Sequence, residues 1–175
     1  MKKMLGEERR LELLNLLKQQ NGPITGTDLA KHANVSRQVV VNDMNLLKAR
    51  NEPIVATSQG YLYMKEQSTA SYERKIVCMH TADETRDEMY TIVDCGVTIQ
   101  NVLIEHPVYG EITASILVSN RVEVDLFLEK LEQTKASFLS ALTDGTHLHV
   151  ISAPSEALLD KAEASLREKG YLIEN

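Results

Sequence analysis

Apolar positions in the first third of the chain recur every three or four residues, then give way to an alternation of two. Leu11, Leu13, Leu14, Leu16 and Leu17 supply the core face of a helix over 7–20, stopped by Asn21-Gly22-Pro23. A short helix over 28–33 turns Leu29 and Ala30 inward. Asn34 tolerates the left-handed backbone of a tight corner, Val35 plugs the gap between two helices, and Ser36 is a good N-cap for the next one. Val39, Val40, Met44 and Leu47 form the buried stripe of that helix. Two β-rich runs, 54–57 and 61–64, flank Ser58-Gln59-Gly60 and read as a hairpin. Three helices followed by a hairpin make a winged helix-turn-helix, and polar residues 65–71 read as a linker.

The remaining pattern alternates strand and helix. Strands are expected at 72–80, 98–104, 112–118 and 146–152, with helices at 83–94, at 122–139 and from a Ser155 cap to Lys169. Tyr171-Leu172-Ile173 can add a closing strand. Strands with helices on one face make an α+β sandwich. The expected fold class is therefore α+β: an N-terminal winged helix-turn-helix over 1–66 and an α+β sandwich regulatory domain over 67–175.

The stretch from Thr25 to Leu47 names a partner. On the helix that Ser36 opens, Arg37, Gln38, Asn42 and Asn45 fall opposite the apolar stripe, where they can read base edges or hold phosphates in a major groove. The wing tip, Ser58 and Gln59, can lie on the backbone or in the minor groove. The expected DNA-binding set is Ser36, Arg37, Gln38, Asn42, Ser58 and Gln59, and the partner is double-stranded DNA. A net charge of −6 first argues against this. Residues 1–66, however, carry ten Lys and Arg against seven Asp and Glu, while residues 67–175 carry nine against eighteen. Only the first part can approach phosphate closely. With 5% aromatics and no Trp, a stacking platform for single strands is not expected. No apolar run spans a membrane, no signal peptide is read at the start, and Cys78 and Cys95 make no disulfide framework, so the expected location is cytoplasmic.

The second part carries four of the five histidines; His32, on the first helix of the helix-turn-helix, reads as a surface or phosphate-adjacent residue. His147 and His149 are two apart on a strand and point to the same side. His80 ends the first strand of this part, and either Glu84 or Glu88, one turn apart on the next helix, can face the same point. Three imidazoles and a carboxylate suit Zn, Ni, Co or Fe as a divalent ion, without ranking them. Cys78, on the same strand face as His80, reads as a small buried thiol and a conceivable ligand. His106 and Tyr109, in His106-Pro107-Val108-Tyr109-Gly110, can line a pocket; Arg86 and Arg121 can hold a carboxylate, as can the amides of Ser119-Asn120-Arg121 at a helix start. No phosphate-cradling glycine loop, Gly-x-Ser-x-Gly elbow or catalytic Cys/His pair is present, so no enzyme is expected.

Several segments together carry a family resemblance: Val35-Ser36-Arg37-Gln38-Val39-Val40-Val41-Asn42-Asp43, Gly60-Tyr61, Val77-Cys78-Met79-His80, the 106–110 loop, Ser119-Asn120-Arg121, and Gly145-Thr146-His147-Leu148-His149. Along nearly its whole length the chain resembles the small bacterial niacin-responsive transcriptional repressors. These pair a winged helix-turn-helix, of the kind also found in the biotin repressor, with a three-histidine (3H) domain. The resemblance implies a repressor of NAD-biosynthesis or niacin-uptake genes, with nicotinic acid as co-repressor. It also implies a divalent metal held by His80, Glu88, His147 and His149, which selects Glu88 over Glu84. The expected assembly is a homodimer on a palindromic operator, with nicotinate near the metal and His106, Tyr109, Arg121 and Arg86 as candidate ligand contacts. One alternative is a regulator for which the divalent ion is itself the signal. Another is a DNA-tethered metallohydrolase, which needs an open coordination position.

Overall fold

A computed structural model describes residues 5–64 and 71–173, and their contacts divide the chain into two compact units, Met1–Gln67 and Ser68–Asn175. The expected linker at 65–71 lies almost wholly outside the described residues.

The first unit contains α1 (Gly6–Gln19), α2 (Gly26–Ala33), α3 (Arg37–Ala49), β1 (Ile54–Thr57) and β2 (Gly60–Tyr63). Leu13, Leu14, Leu17, Leu29, Ala30, Ala33, Val40, Met44, Leu47 and Ile54 form its core. Two expected core positions are elsewhere: Leu11 is 60% exposed, and Val39 is only half-buried. A helix stripe is about a hundred degrees wide, and five leucines within seven residues overfill it. Asn34 ends α2 in the left-handed region (φ +51°), and the Ser36 hydroxyl accepts from the Val39 amide at 3.4 Å to start α3. Thr25 caps α2 in the same way, accepting from the Asp28 amide at 3.1 Å. The hairpin gains a short third edge where Ile24 and Tyr61 exchange backbone hydrogen bonds of 2.9 and 2.8 Å. Gly60 makes this possible: with φ +142°, a Cβ there would lie 2.3 Å from the Ile24 carbonyl oxygen.

The second unit is a four-stranded antiparallel sheet of β3 (Tyr72–Met79), β4 (Thr98–His106), β5 (Gly110–Val118) and β6 (Thr146–Ala153), in the order β3-β6-β4-β5. With it fold α4 (Thr85–Val93), α5 (Arg121–Thr134) and α6 (Glu156–Glu168). Alternate strand residues, among them Ile76, Cys78, Ile99, Ile151 and Ala153, meet Met89, Ile92, Val124, Leu128, Leu159 and Leu166 of the helices in one core. The architecture is α+β, as its pattern predicts.

Three boundaries differ from expectation. The helix expected to run to Leu139 ends at Thr134, because Lys135 turns left-handed (φ +54°) and closes it with hydrogen bonds from its amide to Glu132 and Leu131; a 3₁₀ stretch, Leu139–Thr143, follows. Ser155 opens α6 without any hydrogen bond from its side chain. Tyr171–Ile173 pairs with β3 only as an isolated bridge, Cys78 with Leu172, held by Met79 N–H to Tyr171 O and Ile173 N–H to Val77 O, both 2.9 Å. Among the described residues no helix is long and apolar enough to cross a membrane.

Candidate metal centre and nucleic-acid interface

The histidine centre is assembled by register. Strands β3 and β6 align Ile76 with His149 and Cys78 with His147, and His80 follows directly after β3. His147 and His149 therefore share one pleat face, and α4 brings Glu88 up against it. The choice between Glu84 and Glu88 is decided by a capping box. The Thr81 amide and hydroxyl both donate to Glu84 Oε2, at 2.8 and 2.7 Å, which ties Glu84 to the exposed start of the 3₁₀ turn Ala82–Glu84. Glu88, one turn on, is fully buried.

Three imidazole nitrogens converge on that one carboxylate. His80 Nε2 lies 2.9 Å from Glu88 Oε2, and His147 and His149 Nε2 lie 3.2 and 3.3 Å from Oε1. All four side chains are no more than 3% exposed. The other ring nitrogen is engaged in each case: Nδ1 of His80 donates to the Thr81 carbonyl (2.8 Å), that of His147 to Gly145 (2.8 Å) and that of His149 to Asn101 (3.0 Å). A carbonyl can only accept, so Nδ1 carries the proton and the lone pair of the neutral ring sits on Nε2. Each ring is thus fixed in the tautomer and orientation that a metal requires.

The Nε2 groups of His80 and His149 and Oε2 of Glu88 are close enough for ion pairs, yet are aligned with no hydrogen-bond partner. Such atoms are costly in a buried site unless something else satisfies them. Donors bound about 2.0–2.1 Å from one ion are separated by roughly 2.9 Å at right angles and 3.4 Å at tetrahedral angles. The observed 2.9–3.3 Å separations lie in that interval. The donor set fits a divalent transition ion.

Cys78 belongs to the same neighbourhood: its Sγ, a Glu88 carboxylate oxygen and a His147 ring nitrogen all lie within 4.8 Å of one another. Burial, reinforced by the Glu88 charge, pushes this thiol far up, so without an ion it is neutral. Gly145 lets the start of β6 reach His80: at φ +92°, a Cβ there would stand 2.3 Å from the His80 carbonyl oxygen. At β4 the register slips by one residue at Gln100, and just beyond it the Asn101 carbonyl accepts from His149.

Burial alone would push the Glu88 carboxyl up, but the imidazoles of His149, His147 and His80 outweigh it and hold it well below 4.5. Burial would also lower His80 and His149, and the Glu88 carboxylate reverses this, raising both above 6.5. In the metal-free protein the histidine contribution is complete below pH 6.5 and is lost as pH rises through the raised values. The Glu88 contribution is present above pH 4.5 and is lost as pH falls through the depressed one. An ion held here would have to displace the histidine protons. Apparent metal affinity is therefore expected to fall about tenfold per pH unit for each proton displaced once pH drops below the raised histidine values. Metal titrations between pH 5.5 and 8 check this, and a flat profile contradicts it.

The four expected ligand contacts fall into two pairs rather than one site: the His106 and Tyr109 rings lie 4.9 Å apart, and Arg86 and Arg121 both meet Tyr90. His106 Nδ1 accepts from the Val108 and Tyr109 amides at 3.2 and 3.3 Å, so the ring shapes the tip of the β4–β5 hairpin, and Tyr109 is 77% exposed there. Arg121 pairs with Asp94 (2.8 and 2.5 Å) and lies over the Tyr90 ring, while Arg86 pairs with Asp125. At the start of α5 the Ser119 amide donates to Glu123 Oε2 and the Glu123 amide to Asn120 Oδ1. None of the four candidates lines the open cavity of about 590 Å³ beside His80, whose walls include Met79, Ala82, Phe138, Gly145 and Tyr171. Arg86 does line a neighbouring cavity of about 440 Å³, which shares Ala82 and Phe138 with the first.

In the first unit, Arg37, Gln38, Asn42 and Asn45 are exposed along α3, and Gln38 donates to Asn42 one turn away at 3.5 Å. Ser36 holds the exposed start of α3, and Ser58 and Gln59 form the half-buried hairpin turn. One residue escaped the sequence reading. Asp43 of α3 is buried and accepts from Arg9 Nε (2.6 Å), Arg9 Nη2 (3.1 Å) and Arg10 Nη1 (3.3 Å) of α1. The available signal was an acid inside the 40–44–47 stripe. His32 pairs with Glu12 at the surface (3.0 Å).

A winged helix-turn-helix followed by an α+β unit with a buried histidine–glutamate centre defines a two-domain DNA-binding regulator. A family model described as a 3H domain matches residues 73–175, and one described as an HTH domain matches residues 9–62. The chain is 51% identical over 175 residues to the transcription repressor NadR of Bacillus subtilis, covering 99% of this chain and 97% of that one. It is 37% identical over 172 residues to NiaR of Thermotoga maritima, named a probable transcription repressor, covering 98% and 97%. The chain belongs to this NadR/NiaR family of transcription repressors, the family its motifs resemble.

Proposed function

We propose that this DNA-binding repressor holds one divalent transition metal through His80, Glu88, His147 and His149 and uses it to sense nicotinic acid, controlling NAD-biosynthesis or niacin-uptake genes. The observation that carries the metal is the convergence of three oriented Nε2 atoms on one buried carboxylate, two of them without an aligned partner. A bound ion would supply positive charge and a Lewis-acid position for a carboxylate or ring nitrogen in a domain rich in acidic residues. The cavity beside His80 is the entry side for such a ligand; Arg86 lines the adjoining cavity but is paired there with Asp125. His106, Tyr109 and Arg121 are left out of this site.

On the DNA side, a homodimer sets two α3 helices in successive major grooves of a palindromic operator. Arg37, Gln38 and Asn42 face base edges, Ser36 faces phosphate, and Ser58 and Gln59 lie on the adjoining backbone. Arg37→Ala is expected to weaken operator binding by about 1–3 kcal/mol and to relax specificity at one position. A loss that is uniform across sequences makes Arg37 a phosphate contact instead.

The sensing claim is tested by measuring operator affinity of the metal-loaded protein with and without nicotinate. An allosteric coupling of about 1–3 kcal/mol gives roughly 5–150-fold tighter binding. An unchanged dissociation constant removes nicotinate from the mechanism. A full response to the ion with no nicotinate present instead favours the metal as the signal. A hydrolytic role has little support, because the relatives that cover nearly the whole chain are named transcription repressors.

A further inference from the structure

We infer that Cys78 is a sulfur donor to the metal centre, making it a five-donor site of three nitrogens, one oxygen and one sulfur. This rests on the reading of the histidine–glutamate cluster as a metal centre. The carrying observation is position. On the inward face of β3 and β6, Cys78 lies directly opposite His147, two residues before His80, and diagonal to His149, which is opposite Ile76. It is the position on this sheet face that neighbours all three histidines. Opposed residues in antiparallel strands hold their Cβ atoms about 4.5–5.5 Å apart, and diagonal ones about 7–8 Å, so one ion between the rings is within reach of the thiol.

Side-chain geometry agrees with the backbone. Sγ lies within 4.8 Å of both a Glu88 carboxylate oxygen and a His147 ring nitrogen, and Cys78 is 0% exposed. A second observation points independently to an ion there. His80 Nε2, His149 Nε2 and Glu88 Oε2 are buried, directed into the same space, and have no aligned partner. An apolar residue at position 78 would fill the core equally well but would give the cluster no soft donor. Coordination replaces the S–H bond with an S–metal bond and releases one proton to solvent per ion bound. A thiolate tilts the site toward Zn, Co and other ions that accept sulfur, and away from Mn and Mg, which prefer oxygen.

The test is the absorption spectrum of the full chain loaded with Co(II). A near-ultraviolet thiolate-to-cobalt charge-transfer band is expected in the wild type. It should persist in Cys95→Ser, whose sulfur lies past the C-terminal end of α4 beside Ser165 of α6, and vanish in Cys78→Ser and Cys78→Ala while both still bind cobalt. Zn(II) affinity should fall at least tenfold in Cys78→Ala. Full cobalt occupancy in the wild type with no sulfur band overturns the inference while leaving the histidine–glutamate centre standing. That measurement needs no variant to fold. Unchanged Zn(II) affinity in Cys78→Ala also overturns it. If the wild type takes up no cobalt, both this inference and the metal-centre reading fall together.

Discussion

His149→Ala is expected to strip the second unit of the divalent metal proposed for it while the first unit stays folded. The side chain is 3% exposed, its Nε2 lies 3.3 Å from Glu88 Oε1, and its Nδ1 donates to the Asn101 carbonyl. Truncation therefore removes one of three nitrogen donors and takes away the donor to the half-buried Asn101 carbonyl. Loss of an outer-shell partner of a ligand already costs 10–100-fold in affinity, so loss of the ligand should cost roughly a hundredfold or more. Elemental analysis after dialysis against micromolar metal reads the stoichiometry, which should fall from about one ion per chain to near none. Circular dichroism and thermal unfolding report the first unit, which has a separate core and a separate cluster of contacts. Full occupancy in the variant rejects the ligand assignment. If both units melt together, the two are not independent in folding. Because an ion that binds only the native state stabilises it by RT ln(1 + c/Kd) at free ion concentration c, the wild type should also lose thermal stability on chelation, and the variant should not.

The regular parts of this architecture were legible because periodicity encodes them. His147-Leu148-His149 on a strand forces both rings onto one face whatever surrounds them, and β6 does so. The turn at Asn34 and the cap at Ser36 were readable because side-chain chemistry fixes local backbone geometry there. What was hidden depended on partners distant in sequence. Spacing gave Glu84 and Glu88 equal claims; a local capping box at Thr81 turns one away, while tertiary burial claims the other. The slip at Gln100 comes from the register of β4 against its neighbours, so no local pattern announces the carbonyl that orients His149. The early end of α5 at Lys135 has the same character, since lysine carries no intrinsic preference for a left-handed cap. The candidate ligand contacts dispersed for a different reason. His106, Arg86 and Arg121 were chosen for what their side chains can bind, and each already has a partner within the fold.

Asp43→Ala is expected to destabilise the winged helix-turn-helix by about 3–5 kcal/mol, the usual range when one partner of a buried ion pair is removed. The Asp43 side chain is 3% exposed, and those of Arg9 and Arg10 only 11% and 15%, so solvent screens this group little and neither arginine can be resolvated without moving. Arg10 Nε is already buried without a partner, although its Nη2 also holds the Glu7 carboxylate, so the loss falls mainly on Arg9. A shift of 1 kcal/mol moves the melting temperature of a domain this small by about 4–8 °C, so the first transition should drop by more than 10 °C or disappear. Asp43→Asn keeps an acceptor oxygen for Arg9 but no charge, and should recover part of the loss. Denaturant unfolding followed on the isolated transition measures both variants, and a loss below 1 kcal/mol in Asp43→Ala shows that the arginines find other partners. The consequence extends past stability. Asp43 lies on α3 between Asn42 and Met44, so the same turn that leaves Asn42 exposed is pinned from behind to α1. Removing the pin should weaken operator binding even below the melting temperature, because freeing α3 from α1 adds an ordering cost to every complex the helix forms. A variant that is destabilised yet binds operator with wild-type affinity at low temperature confines Asp43 to folding. A parallel loss of both assigns it to the presentation of the recognition helix as well.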